Sequence, residues 1–120
     1  MRRTMLVAAI PALAVLLGWT VRHLELSDSF PKADAVLEAA PTVIWLEFSV
    51  APDLARSSFS VRGPAGNVEL AQITTGDKPL VLKADVKGAM PAGAYTVSWA
   101  GAPPSDHVVR GRFTFTVRGD

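Results

Sequence analysis

The sequence contains no cysteine among its 120 residues, and histidine is almost as scarce, with only His23 and His107. The lack of cysteine excludes disulfide bonds, thiolate metal ligands and cysteine nucleophiles. A domain of this size without disulfides depends on its hydrophobic core for stability. Any metal site in this chain must therefore use nitrogen, oxygen or thioether ligands.

The chain also lacks the short motifs that carry much enzymatic chemistry. It has no glycine-rich phosphate loop, no Gly-x-Ser-x-Gly and no His-Glu-x-x-His. Ser105, Asp106 and His107 stand in a row, but neighbours on an extended segment point to opposite faces and cannot form a catalytic relay. We therefore expect a protein that is not an enzyme.

An excess of positive charge is missing as well. Three of the twelve basic residues precede residue 23, which leaves nine basic side chains against eleven acidic ones and a net charge of about −2 for the rest of the chain. Because a surface that binds nucleic acid needs clustered basic charge, nucleic acid is not an expected partner. Arg110, Arg112 and Arg118 are separated by even numbers of positions, which places them on one face of a strand, and we expect that face to be solvated.

The start of the sequence predicts a leader. Arg2 and Arg3 precede the uncharged run 4–21, and charge returns only at Arg22. A basic start followed by an apolar run is typical of a secretory signal, and the run also approaches the roughly 20 residues that span a bilayer as a helix. No small-x-small cleavage site directly precedes His23. Residues 1–22 are therefore predicted to be a signal peptide or an N-terminal membrane anchor, and residues 23–120 an exported domain.

After the leader, short apolar alternations are separated by clusters of Pro, Gly, Ala and Asp, with no long amphipathic helix. Strands are predicted at 23–27, 42–49, 57–62, 68–73, 80–84, 94–99 and 109–117, with turns at 29–34 and 63–67 and one helical turn at 35–40. About seven such strands predict a single all-β domain, an immunoglobulin-like Greek-key β-sandwich. The predicted core contains Ile44, Leu46, Phe48, Tyr95, Val97, Trp99, Phe113 and Phe115.

The two histidines stand near the two ends of this predicted domain. His23 follows the leader, and His107 precedes the last strand beside Asp106. Imidazole nitrogen and carboxylate oxygen suit Cu(II), which favours such ligands in tetragonal geometry. If the leader is cut directly before His23, the free amine of that residue would add a further nitrogen ligand. The alternative is that each is an ordinary surface histidine near a loop.

Four motifs follow one another between residues 23 and 118. They are His23, Leu26, Ser27, Ser29 and Pro31; then Pro41, Ile44, Leu46, Phe48 and Ser49; then Pro91, Ala92, Gly93, Tyr95, Val97 and Trp99; and last His107, Gly111, Phe113 and Phe115. The third, Pro-Ala-Gly-x-Tyr-x-Val-x-Trp, is the most specific. In this order the motifs resemble the CopC family of periplasmic copper-binding domains.

The resemblance implies a periplasmic β-sandwich that binds copper as Cu(II), with His23 and His107 as ligands. The family aspartate stands two residues before the second histidine, where this chain has Ser105, so Asp106 is the predicted carboxylate ligand. Val50 occupies a position that is often acidic in the family. The family's methionine-rich Cu(I) loop is absent, because Met90 is the only methionine after the leader.

The resemblance predicts a non-enzymatic carrier or buffer of Cu(II) in copper homeostasis and resistance. Its predicted partners are the copper ion and a copper-transporting inner-membrane protein. The alternative is an interaction module of the same fold with a weakened or lost copper site, anchored to the membrane by its leader. A third hypothesis, an oxidative enzyme built on a two-histidine copper brace, lacks a recognisable flat surface of aromatic residues for a substrate.

Overall fold

The computed structural model describes residues 23–104 and 106–119, and the predicted leader lies outside them. Within this range, eight strands form two sheets and no α-helix occurs. The first sheet has the order β1-β3-β6, and the second has the order β2-β8-β7-β4-β5. The strands are β1 (Leu26–Phe30), β2 (Val36–Leu37), β3 (Val43–Phe48), β4 (Ser58–Gly63), β5 (Gly66–Asn67), β6 (Val81–Asp85), β7 (Gly93–Gly101) and β8 (Val109–Val117). Among the residues described, no helix is long and apolar enough to cross a membrane.

The predicted all-β sandwich is confirmed, and its centre on one side is β3. This strand lies between β1 and β6 and runs antiparallel to both. Ile44, Leu46 and Phe48 alternate onto its inner face and are fully buried. The alternation of apolar residues in the sequence therefore identified both the strand and the face that builds the core.

On the other side, β7 and β8 form the long antiparallel pair that carries the second sheet. Their register runs from Gly93 opposite Val117 to Gly101 opposite Val109. Tyr95 stacks on Phe115, with ring centroids 5.4 Å apart. Six of the eight predicted core residues are buried, whereas Trp99 and Phe113 are half-buried and pack against the cluster.

Two predictions for the first forty residues are wrong. The first strand begins at Leu26 and continues through Phe30, because residues 23–25 bond to the residue after β3 instead of joining a regular ladder. The segment 35–40 contains no helical turn. Val36–Leu37 instead forms β2, parallel to β8, where the N–H of Thr116 donates to Ala35 and that of Arg118 to Leu37. The edge of β8 thus gains hydrogen-bond partners that a helical turn would not supply.

The predicted strand at 68–73 is also wrong, because this segment passes from one sheet to the other. The N–H of Val68 still donates to Val61 of β4, but that of Ala71 donates to Asp85 of β6. Only Gly66–Asn67 forms a ladder with β4, and Leu70 makes an isolated bridge to Val86. The count of eight strands, against about seven predicted, includes the two-residue strands β2 and β5.

The third motif builds the beginning and end of β7. Gly93 has a φ of 143°, a conformation that side chains rarely adopt. The Tyr95 hydroxyl donates to the carbonyl of Pro91, four residues upstream, as in the tyrosine corner of immunoglobulin-like domains. Trp99 covers Gly111 of β8, where an added Cβ would lie 2.5 Å from its Cζ2, and meets Phe48 edge-on at 5.3 Å. These residues therefore fix the sandwich itself.

Candidate metal centre

The backbone at His23 is fixed by Ser49, the residue that follows β3. The Ser49 hydroxyl donates to the His23 carbonyl at 3.1 Å and accepts the N–H of Glu25 at 2.9 Å. The backbone N–H of Ser49 also donates to the carbonyl of Glu25, at 2.8 Å. The side chain of His23 is exposed. The serine of the second motif thus holds the segment that carries the first histidine.

Leu24 anchors the same segment in the core. It is 2% exposed and lies over Gly101, the last residue of β7, where an added Cβ would come within 3.1 Å of its Cδ2. Gly101 in turn pairs with Val109, the first residue of β8. This chain of contacts joins the start of the domain to the start of its last strand.

His107 lies two residues before β8 and is exposed. Its backbone N–H donates to Oδ1 of Asp106 at 2.7 Å. Because Val109 pairs with Gly101 beneath Leu24, His23 and His107 lie at the same end of the sandwich. The topology therefore places two histidine-bearing segments that are far apart in the sequence at the same end of the sandwich.

A short 3₁₀ turn, Leu54–Arg56, braces the loop that contains Asp106. Asp53 caps this turn by accepting the N–H of Ala55. The Arg56 guanidinium donates to two loop carbonyls, Pro103 at 3.3 Å and Asp106 at 2.6 Å. Hydrogen bonds from an ionised donor are stronger than those between neutral groups. One arginine thus spans the loop that leads into His107.

The same loop is tied at its root. The Asp53 N–H donates to the carbonyl of Ala102 at 2.7 Å, and the buried Ser57 hydroxyl accepts the N–H of Ala102 at 3.0 Å. Residue 102 is therefore bonded through both its N–H and its carbonyl to the segment 53–57.

The ligands predicted for this end are two imidazoles and one carboxylate, a set whose chemistry suits Cu(II). In the described ranges 23–104 and 106–119, no group of three or more His, Cys, Asp or Glu side chains stands close enough to hold a metal ion. Met90 is buried in the core at 7% exposure. The ligand set His23, Asp106 and His107 stays a prediction.

Elsewhere in the described part of the chain, two ionisable groups have shifted pKa values. A side-chain hydrogen bond from Lys32, with one from the backbone N–H of Ser29, holds the pKa of Asp28 below its usual value. Burial raises the pKa of Tyr95. Asp28 also forms a surface ion pair with Lys32 at 2.7 Å.

Two residues that shape this end were missed at the level of sequence. Ser49 belongs to the second motif, but the alternation around it indicates only a strand end. Arg56 belongs to no motif, and its acceptors are backbone carbonyls about fifty residues away in the chain. Acceptors of this kind carry no sequence signal, so only the folded chain reveals the contact.

The comparison with family models and known proteins agrees with this architecture. The model of the CopC domain matches residues 26–118. Copper resistance protein C of Escherichia coli is 30% identical over 104 residues, covering 80% of this chain and 82% of that protein. Protein YobA of Escherichia coli K12 is 28% identical over 100 residues, covering 80% of this chain and 79% of that protein.

Two solved structures that resemble this chain are also of copper resistance or CopC proteins. PcoC, a methionine-rich copper resistance protein from Escherichia coli, superposes with a TM-score of 0.73 at 30% identity, covering 81% of this chain and 100% of that one. CopC from Methylosinus trichosporium OB3b superposes with a TM-score of 0.69 at 29% identity, covering 80% and 94%. With its family model matching nearly the whole described range, this chain belongs to the CopC family.

Proposed function

We propose that this protein binds Cu(II) in the periplasm and acts as a carrier or buffer in copper homeostasis and resistance. The observation that carries the proposal is the meeting of the two segments bearing His23 and His107 at one end of the sandwich, through Leu24, Gly101 and Val109. The names of the similar proteins, which include copper resistance proteins, support the same function.

His23, His107 and Asp106 are the proposed ligands. Both imidazoles are exposed, so a metal ion can reach them from solvent. A different side chain holds the backbone near each histidine. The Ser49 hydroxyl bonds to the His23 carbonyl, and the Arg56 guanidinium bonds to the Asp106 carbonyl in the loop before His107. If the leader is removed directly before His23, the new amine would supply a fourth donor.

The oxidation state follows from the donor set. Nitrogen and oxygen ligands favour Cu(II), whereas Cu(I) prefers thiolate or thioether sulfur. The chain has no cysteine, and its one methionine after the leader, Met90, is buried in the core. The affinity for Cu(II) should fall in acid, because an imidazole must be deprotonated to bind a metal ion.

The proposed partner is a copper-transporting inner-membrane protein that exchanges the ion with this domain. Residues 1–22 would export the domain, either as a cleaved signal or as an anchor that keeps it near that partner. A carrier of this kind needs no catalytic group, and the sequence supplies none of the familiar catalytic motifs.

The proposal is tested by Cu(II) titration of the exported protein after its N-terminus has been sequenced. His107→Ala should lower the affinity at least about tenfold, since a neutral methyl group replaces a ligand. Val108→Ala is the matched control, because Val108 is the exposed neighbour in the same loop and has no metal-binding group. Equal affinities of wild type and His107→Ala would eliminate the site, and the interaction-module hypothesis would replace it.

A further inference from the structure

The outer face of the five-stranded sheet carries three arginines and, on strands β4, β7 and β8, no acidic residue. We call this surface the arginine face; it is formed by the outward residues of the three strands. They are Ser58, Ser60 and Arg62 of β4, Ala94, Thr96, Ser98 and Ala100 of β7, and Arg110, Arg112, Thr114 and Thr116 of β8. The face is thus cationic, although the net charge of residues 23–120 is about −2.

The strand registers place these residues in rows across the sheet. One row joins Ser58, Ala100 and Arg110, and the next joins Ser60, Ser98 and Arg112. Arg62 lies in the third row, on the opposite outer strand of the three. Because neighbouring strands lie about 4.8 Å apart, arginines on β8 and β4 stand on either side of the central strand.

A groove of about 440 Å³ runs along the first two rows, where small side chains lie beside long arginine side chains. Its floor is formed by the small side chains of β4 and β7, among them Ser60, Ser98 and Ala100, and Arg110 and Arg112 form one wall. Serine hydroxyls can donate or accept hydrogen bonds along the floor. Phe59 and Trp99 also line the groove, so its apolar surface is bordered by serine hydroxyls and by two cationic side chains.

These arginines are not neutralised within the part of the chain that the structure describes. The two ion pairs found there join Lys32 to Asp28 and Arg118 to Glu38. Asp34 borders the adjacent groove beside Arg112 without forming an ion pair with it. Arg118 follows the last residue of β8. Its guanidinium forms an ion pair with the Glu38 carboxylate at 2.9 Å.

We propose that the arginine face docks an extended acidic segment of a partner protein. Guanidinium groups bind carboxylates through two parallel hydrogen bonds, so glutamate or aspartate side chains suit the wall of the groove. A planar membrane surface fits less well, because the arginines border a groove and not a flat surface. The first row of the groove lies one residue from the pair Gly101 and Val109, so a docked segment would lie near the loop of His107.

The test uses metal-free protein, so that its outcome does not depend on copper binding. The probe is a fluorescein-labelled dodecapeptide that alternates glutamate and glycine, with a peptide of glutamine and glycine as the neutral probe. The test variant is Arg110→Gln with Arg112→Gln. The control variant is Lys83→Gln with Lys87→Gln, which removes the same charge from exposed positions on and after β6 of the other sheet.

Wild type should bind the acidic peptide, measured by fluorescence anisotropy at low salt, and should not bind the neutral one. The arginine variant should bind at least about fivefold more weakly, whereas the lysine variant should match wild type, because local hydrogen bonds decide the affinity and not net charge. Circular dichroism and thermal melting should show that both variants are folded.

An equal loss in the lysine variant would overturn the proposal, since net charge alone would then explain binding. The absence of binding by wild type would overturn it as well. If wild type binds vesicles of anionic phosphatidylglycerol through the two arginines but not the peptide, the occupant is a membrane and the proposal is wrong.

Discussion

Two side chains hold the backbone at the histidine end of the sandwich. Ser49 bonds to both sides of Leu24, and Arg56 reaches two carbonyls of the loop before His107. A hydrogen bond between neutral groups contributes about 0.5 to 1.5 kcal/mol to stability, and one to a charged group about 1.5 to 3 kcal/mol. The exposed position of Arg56 places its contribution toward the low end of that range.

Arg56→Ala should therefore loosen the loop without unfolding the domain. The amide protons of Asp106 and His107 should exchange with solvent faster, because the carbonyls of Pro103 and Asp106 lose the guanidinium. Hydrogen exchange followed by NMR measures this directly, and the affinity for Cu(II) should fall in the same variant.

The control for Arg56→Ala is Arg62→Ala, an arginine of the sheet face that makes no contact with the loop among the hydrogen bonds described. It should leave exchange at residues 106 and 107 unchanged. Unchanged exchange in Arg56→Ala itself would show that the guanidinium does not hold the loop.

Tyr95→Phe should lower the free energy of unfolding by about 0.5 to 1.5 kcal/mol at neutral pH, because the bond to the Pro91 carbonyl is lost. Burial raises the pKa of Tyr95 above its usual value of 10.0, so the folded state keeps a proton that the unfolded state releases. The stabilisation is complete below about pH 10 and is lost as the pH rises through the folded pKa.

Urea unfolding at neutral pH and above about pH 10 measures both effects. The stability advantage of wild type over Tyr95→Phe should shrink at the higher pH. Because Tyr95 is the only tyrosine, its ionisation can also be followed by ultraviolet absorbance. An advantage that grows with pH would contradict a raised pKa.

At the scale of elements, β7 and β8 form the longest strand pair of the sandwich. Residues of the third motif hold this pair in place. Tyr95 fixes the start of β7, and Trp99 covers Gly111 of β8 and touches Phe48 of β3. The glycine of the fourth motif is thus explained by the indole that lies over it. Most of the family resemblance therefore lies in residues that build the sandwich, and only His23 and His107 belong to the proposed site.

Gly111→Ala should destabilise the domain by about 1 to 3 kcal/mol, the usual cost of overpacking. Its new Cβ would fall 2.5 Å from Cζ2 of Trp99, and the indole would have to move away from Phe48. Urea unfolding gives the energy, and the NMR signal of the Trp99 indole reports the displacement. Ser98→Ala, on the outer face of the neighbouring strand, should change neither measurement.

For the molecule as a whole, apolar alternation predicted the inner strands well, because β3, β7 and β8 have one face against the core. It failed at 35–40 and 68–73, where the conformation depends on partners from distant segments. Val36 is 57% exposed and is in a strand only because β8 offers an edge, and the segment after Asn67 crosses between sheets. Neither the edge of β8 nor the crossing between the sheets can be predicted from the local sequence.

For the candidate site, too, part could be predicted from the sequence and part could not. The order of the motifs singled out His23 and His107, and the topology brings their segments to one end of the sandwich. The supporting residues could not be predicted, because Ser49 and Arg56 act on backbone groups that any sequence would offer. Asp106, directly before His107 in the sequence, stays the predicted carboxylate ligand.

The most direct test of copper binding at this end is pulsed electron paramagnetic resonance on protein with one equivalent of Cu(II) and a sequenced N-terminus. Imidazole ligands are counted from the couplings of their remote nitrogens. Wild type should show two coordinated imidazoles, His23 and His107, and His107→Ala should show one. Identical spectra from the two proteins would contradict a copper site built from these histidines.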